Sequence, residues 1–173
     1  LPSKSIHGSG LPRVSDRARR IAQSSLASPG GMVFCLVPWE GESKRSRPIR
    51  WPGDTISIID QLCIDIPPGM FDAEVDFWTG FTGWPTKPRG RPELVALRRD
   101  PAVTLGILLQ RKQDESPDSD VATAHLDIAT NSVPDEVARH EDWGARAIEH
   151  FPHWTTMADP VGRRYCITSR NQI

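Results

Sequence analysis

The sequence predicts an α+β fold built from two copies of one strand–helix–strand module. Residues 62–66, which read Leu-Cys-Ile-Asp-Ile, have a counterpart 62 positions later in residues 124–128, which read Ala-His-Leu-Asp-Ile. The pair Glu74-Val75 recurs at the same offset as Glu136-Val137. In each copy a stretch of period two precedes a stretch of helical period. Two such copies predict a pseudo-symmetric domain with a cleft between its halves.

The first module opens with a strand predicted over residues 56–66, where aliphatic side chains alternate with polar or small ones. The aliphatic positions are expected to face the core. Gln61, Cys63 and Asp65 occupy the alternate positions and are therefore expected to face the cleft.

A helix is predicted to follow from Phe71, because apolar residues recur there at helical spacing until Gly83. Two strands, over residues 93–99 and 103–111, complete a first module of residues 57–112, and a polar linker over 113–119 follows.

The second module repeats this order. Its opening strand, residues 123–130, carries His125 and Asp127 on the side opposite Leu126. A helix is predicted over residues 134–143, with a proline in its first turn and a glycine at its end. The remaining strands of this module, which spans residues 123–170, are predicted over residues 145–149, 153–157 and 163–168.

The segment before the first module has a different character. Residues 1–27 are rich in Ser, Gly, Pro and Arg and predict a flexible basic tail. A strand is predicted over residues 31–37. It resembles the closing strand of the second module and would be the end of a preceding module. Residues 40–54 are predicted to form a linker. The predicted division is a segment of residues 1–56 and a domain of residues 57–173.

Composition excludes several classes of protein. The 21 Lys and Arg against 22 Asp and Glu leave a net charge of -1, so nucleic acid is not an expected partner. The apolar runs are far shorter than the roughly 20 residues that cross a bilayer, and no secretory signal is visible. We therefore expect a cytoplasmic protein without a membrane partner. Three cysteines without Cys-x-x-Cys spacing argue against a disulfide framework.

Several motifs together carry a family likeness. In their order and spacing they resemble the vicinal oxygen chelate superfamily, in its glyoxalase-like and bleomycin-resistance-like branch, over roughly residues 57–170. The matching stretches are residues 59–67, 74–78, 109–111, 124–128, 136–139, 144–146, 153–155 and 159–160.

This resemblance implies two βαβββ modules that form a curved mixed sheet around a cleft. It also implies a small-molecule ligand and, in many relatives, a divalent metal held by both modules. The ligand positions of the family correspond here to Gln61, His125, Gln110 and Cys166. Cys166 stands where metal-dependent relatives usually have a carboxylate, so the expected cofactor is either none or a divalent metal. A lone closing strand before the first module predicts pairing with the main sheet, a missing N-terminal portion or a second chain, and we expect a homodimer.

The residues themselves suggest where chemistry would occur. His125 and Asp127 are the candidate catalytic groups, and Asp65 forms a symmetric pair with Asp127 that could shift the pKa of either. Cys63 and Trp154 are further candidates for the cleft wall. The indole of Trp154 offers flat apolar area and one hydrogen-bond donor. The alternatives remain open: the histidine as a hydrogen-bonding strand residue, the cysteines as small core residues, and the carboxylates as strand-end contacts.

Three functions are compatible with these features. The first is a glyoxalase-like protein that binds a small organic molecule in the cleft, with lyase, isomerase or dioxygenase-type chemistry. The second is a metal-free, drug-sequestering binding protein of the bleomycin-resistance type. The third is a regulatory protein whose basic N-terminal segment contacts an acidic partner.

Overall fold

The structure is a computed structural model that describes residues 24–38, 41, 46–113 and 120–170. The elements of the first part are β1 (Ser24–Ala27), β2 (Val33–Leu36), β3 (Ile49–Arg50), β4 (Ile56–Ile66), α1 (Phe71–Thr82), β5 (Thr86–Pro88), β6 (Leu94–Leu97) and β7 (Gly106–Arg111). Those of the second part are β8 (Thr123–Thr130), α2 (Val133–Glu141), β9 (Arg146–His150), β10 (Trp154–Ala158) and β11 (Arg164–Ser169).

An open mixed sheet joins the two modules in the order β5-β6-β7-β4-β8-β11-β10-β9, with β3 paired to β4 beside this path. The two opening strands, β4 and β8, pair antiparallel at the centre. Each opening strand pairs in parallel with the closing strand of its own module, β4 with β7 and β8 with β11. The predicted α+β class and the two-module mixed sheet are therefore confirmed.

The opening strands and the first helix lie where the sequence predicts them. Helix α1 has acidic residues in its first turn and ends at Gly83, whose φ of 69° is the left-handed conformation that favours glycine. The second helix ends at Glu141, two residues earlier than predicted, and Pro134 lies in its first turn. Neither helix in the described ranges is long and apolar enough to cross a membrane.

Some predicted elements were wrong in detail. Strand β5 was not predicted, because a proline in a short segment argues against a strand. Pro88 is tolerated here because β5 is the edge strand of the sheet. The predicted linker contains β3, which Pro48 and Pro52 confine to two residues. Leu126, expected opposite His125 as a core residue, is 40% exposed.

The N-terminal strand does not stand alone. Residues 24–27, predicted as part of the flexible tail, form β1 and pair with β2 in a two-stranded hairpin separate from the main sheet. Phe34 of this hairpin packs on α1, with its ring centroid 5.2 Å from those of both Trp78 and Phe81. The unpaired backbone groups expected on this strand were the reason to expect a second chain. They have a hydrogen-bond partner in β1 of the same chain. The homodimer stays a prediction.

Each helix buries one glutamate at the repeated position. Glu74 and Glu136 are both 0% exposed. The carboxylate of Glu74 accepts hydrogen bonds from the Gly30 N–H at 2.5 Å and from the Trp78 indole N–H at 2.6 Å. Arg139 donates to Glu136 at 2.6 Å and 3.0 Å. A buried carboxylate is costly unless it is paired, so these bonds allow both glutamates to stay buried, and the bond from Gly30 also ties α1 to the N-terminal hairpin.

Glu74→Ala is expected to lower the free energy of unfolding by about 2–4 kcal/mol, because two buried N–H donors lose their acceptor. Urea unfolding followed by tryptophan fluorescence measures this loss. Asp76→Ala is the matched control, since Asp76 is an exposed acidic residue of the same helix, and a change within about 0.5 kcal/mol is expected for it. Equal losses in the two variants would contradict a structural role for the buried carboxylate.

Candidate functional site

Strand register places polar side chains of both modules on one face of the sheet. Side chains of directly paired residues point to the same side. Cys63 pairs with His125, and Asp127 pairs with both Gln61 and Cys166. The face also includes Asp65 and Gln110, which pair with each other. Four central strands, β7, β4, β8 and β11, therefore supply these positions.

His125 lies between two carboxylates. Its Nδ1 is 2.6 Å from an Asp65 carboxylate oxygen, a short hydrogen bond typical of a charged pair. Its Nε2 is 3.5 Å from Asp127 Oδ1, beyond the usual range for a hydrogen bond. The side chains of His125 and Asp65 are only 16% and 20% exposed, and that of Asp127 only 7%. The arrangement holds one ring nitrogen firmly and leaves the other loosely engaged.

The charges of this cluster follow from burial and contact. Burial alone would lower the pKa of His125, but the hydrogen bonds with Asp65, Cys166 and Cys63 together outweigh burial, so the pKa lies well above its ordinary value. Burial raises the pKa of the Cys63 thiol to about 12, although nearby His125 opposes this shift. Burial also raises the pKa of Asp127, against the attraction of Arg170 and His125. Both shifts favour the protonated forms, an imidazolium at His125 and a neutral thiol at Cys63.

Two further members of the cluster, Arg170 and Asp60, were missed in the sequence. Arg170 donates to Asp60 Oδ1 at 2.5 Å and to Asp127 Oδ2 at 3.3 Å. Asp60 occupies a core-facing position by simple alternation, but the register shifts between Ile59 and Gln61. Such a bulge adds one residue and re-aims the side chains around it. No sequence pattern in residues 56–66 predicts this bulge. Arg170 was missed because it lies just beyond the last strand.

The predicted amides and cysteines fill the space around the histidine. Gln61 is buried and donates from its amide nitrogen to Asp127 Oδ2 at 2.6 Å. The Gln110 side-chain oxygen lies 3.6 Å from the Cys63 sulfur, which is a weak contact. Cys166 is 9% exposed, and its sulfur lies 3.9 Å from the Thr156 hydroxyl.

Trp154 lies on the same face as Cys166 but further along. It is half-buried on β10, where it pairs with Thr168, two residues beyond Cys166. Its ring stacks on Phe151 with centroids 4.3 Å apart. The tryptophan therefore lies to the side of the histidine cluster, where it could contact a ligand that extends along the sheet.

The donor chemistry of the cluster fits a divalent metal. Two sets of three residues offer ligand atoms within 4.8 Å of one another, and both include His125: one adds Cys63 and Asp65, the other Asp127 and Cys166. Nitrogen, oxygen and sulfur donors together suit zinc. With Asp65 holding Nδ1, the second set has the carboxylate–histidine arrangement that commonly orients a ligating ring. Each set includes one carboxylate, from Asp65 or from Asp127, and the ligand role suggested for Gln61 and Gln110 stays a prediction.

The chain belongs to the glyoxalase-like domain family, whose family model matches residues 61–168. Membership of the vicinal oxygen chelate superfamily, which the motifs predicted, is thereby confirmed. No curated protein matches the chain.

The solved structures that match the chain share little sequence with it. A hypothetical protein from Bacillus halodurans C-125 is 13% identical with a TM-score of 0.48, and the match covers 68% of this chain and 96% of the other. Glyoxalase I from Zea mays and its V278E mutant are each 13% identical, with TM-scores of 0.36 and 0.34. Each match covers 86% of this chain and 54% of the maize chain, so the chain spans about half the length of the maize proteins.

Asp65→Asn is expected to lower the pKa of His125, because the anion that stabilises the imidazolium is removed. The charged pair stabilises the fold at and below the ordinary histidine pKa of about 6.5, and this contribution is lost only as the pH rises through the higher folded-state pKa. NMR of the ring protons in chelator-treated protein should show His125 titrating between about pH 5 and 9 in the variant and not in the native protein.

The control for this titration is Asp76→Asn, which removes an exposed carboxylate remote from the ring. It is expected to leave the His125 resonances unchanged. Identical titration curves for the native protein and Asp65→Asn would show that Asp65 does not set the charge of the ring.

Proposed function

We propose that the protein binds a small organic molecule against the polar face around His125 and transfers a proton at a position next to a carbonyl group. The observation that supports this most directly is the histidine held between two carboxylates, one from each module. Acid and base groups of different pKa within one cluster are what a proton transfer requires. Isomerase and elimination-type lyase reactions of carbonyl compounds include such a step, whereas dioxygenase-type chemistry does not require it.

The contacts of His125 suggest how the step would proceed. Asp65 keeps its bond to Nδ1. The Nε2–H group is therefore the one that could donate a hydrogen bond to a ligand oxygen. The 3.5 Å separation from Asp127 is long enough for a ligand oxygen to replace that contact. Charge that develops on this oxygen would then be stabilised by the imidazolium.

Asp127 is the candidate base in this proposal. Its raised pKa makes its carboxylate a better proton acceptor than an ordinary aspartate. The Gln61 amide and Arg170 bind Oδ2, so Oδ1 is the oxygen directed toward the histidine. Gln110 and Trp154 are proposed to contact the ligand, the first through its amide and the second through its ring face.

A divalent metal is compatible with the same residues. If held by His125, Asp127 and Cys166, it would supply Lewis-acid polarisation of the ligand oxygen. Ligation requires His125 to lose a proton, so the affinity of the site for metal must fall as the pH is lowered.

Zinc added to the apo-protein is expected to bind more weakly by at least about tenfold in Cys166→Ala, because a thiolate ligand is lost. A competition titration with a chromophoric chelator measures both affinities. Cys35→Ala is the control, since Cys35 is an exposed residue of the N-terminal hairpin. Equal zinc affinity in the native protein and Cys166→Ala would remove Cys166 from the site.

The second candidate is a metal-free binding protein of the bleomycin-resistance type. Two features favour it: Cys166 replaces the carboxylate expected on the closing strand, and Arg170 already neutralises Asp127. Such a protein would bind its ligand and release it unchanged. A cytoplasmic location and a role for the basic N-terminal segment remain predictions, the latter because residues 1–23 lie outside the described ranges.

Exchange of a carbon-bound proton of the ligand for deuterium tests the two candidate functions together. The protein is incubated in D₂O with a panel of small ketones and 2-oxo acids, and NMR follows both line broadening on binding and loss of the proton next to the carbonyl. His125→Ala is expected to lower the exchange rate by about 10²–10⁴-fold, the usual contribution of a general acid or base. His153→Ala, which removes an exposed histidine, should exchange at the native rate.

The outcomes separate the proposals clearly. Exchange at the native rate in His125→Ala would remove this residue from the mechanism. Saturable binding without exchange in the native protein would contradict catalysis and favour the binding protein.

A further inference from the structure

A concave feature lies beside the histidine cluster, which it adjoins at Gln61 and Arg170. It has a volume of about 180 Å³ and is formed by the β5–β6 hairpin, the start of β7 and the residue after β11. Its lining comprises Asp60, Gln61, Lys87, Arg89, Ala96, Leu97, Arg98, Arg99, Gly106, Ile107 and Arg170. We refer to it below as the basic pocket.

The charge of this pocket is opposite to that of the chain. Five of its side chains are Lys or Arg and one is Asp, a formal charge of +4, whereas the whole chain carries -1. Arg170 is paired with Asp60 and Asp127. Lys87, Arg89 and Arg98 are exposed and have no carboxylate within salt-bridge distance among the residues that the structure describes. A concave wall lined by one sign of charge concentrates ligands of the opposite sign.

The floor of the pocket is held in place by hydrogen bonds. Arg99 donates to the backbone carbonyl of Asp60 at 2.7 Å and to that of Thr104. At Gly106 an added Cβ would lie 3.2 Å from the Arg99 guanidinium and 3.5 Å from the Asp60 carbonyl oxygen. Glycine at this position therefore keeps space open beside a guanidinium whose place is fixed by the backbone.

Gln61 links the pocket to the histidine cluster. It lines the basic pocket and donates to Asp127, whose other carboxylate oxygen faces His125. The pocket and the histidine therefore lie on the two sides of one side-chain hydrogen bond.

We infer that the basic pocket binds the anionic group, a carboxylate or a phosphate, of the small molecule whose reactive end lies at His125. This inference rests on the proposed function and narrows its substrate to an organic anion. A volume of about 180 Å³ is smaller than the roughly 300–1,000 Å³ of a pocket for a whole drug-sized ligand and suits one end of a molecule. Guanidinium groups bind carboxylate and phosphate oxygens through paired N–H donors.

Isothermal titration calorimetry with inorganic phosphate and with acetate, at constant ionic strength, tests the pocket. The variant is Lys87→Gln combined with Arg98→Gln, both exposed positions whose change should leave the fold intact. The matched control is Arg146→Gln with Arg163→Gln, which removes the same charge from exposed positions of the second module. Phosphate or acetate should bind at least about tenfold more weakly to the pocket variant and with native affinity to the control.

The two probes identify the anion, since tighter binding of phosphate indicates a phosphate ester and tighter binding of acetate a carboxylate. Equal affinity in the native protein, the pocket variant and the control, or no saturable binding of either probe, would overturn the inference. His125→Ala is titrated in parallel and should bind the probe as the native protein does. Failure of the pocket is therefore distinguishable from failure of the histidine chemistry, which the exchange experiment measures separately.

Discussion

The antiparallel pairing of β4 with β8 is the constraint on which the site depends. It sets Cys63 opposite His125 and Gln61 opposite Asp127 across the line where the two modules meet. Because side chains alternate along a strand, a slip of one residue would turn one of these sets to the helix-covered face. The aliphatic residues Ile64 and Ile66, both fully buried beneath α1, fix the register and so fix the polar face as well.

Every acidic group of the polar face lies beside a basic one. Asp60, Asp65 and Asp127 are opposed by His125 and Arg170, which come from different strands or loops of the second module. Burying this many ionisable groups is unfavourable unless each has a partner. The cluster is therefore a structural element of the sheet in addition to being the candidate site. Replacing any one member changes the charge state of the others, so single substitutions there report on the cluster and not on one residue alone.

The repeat and the alternation within it were enough to predict the sheet, both helices and the face on which His125, Asp65 and Asp127 lie. They were insufficient where structure depends on distant partners. The bulge at Asp60 breaks the alternation without any glycine or proline to mark it, and Arg170 reaches the site from beyond the last strand. Strand β1 forms from residues whose composition suggested disorder, because β2 and helix α1 supply the partners that the local sequence lacks.

The two buried glutamates show that the repeated units are not independent folding units in this chain. Glu136 is bound by Arg139 and His140 of its own helix and also by the Ser57 side chain of β4, in the first module. Glu74 occupies the equivalent position, and one of its two partners is the backbone of Gly30, outside the repeated unit. Each module thus takes one partner for its buried carboxylate from outside its own repeat, the second from the first module and the first from the segment that precedes it. Recombination between relatives that exchanged only one repeat would therefore separate a buried carboxylate from one of its partners.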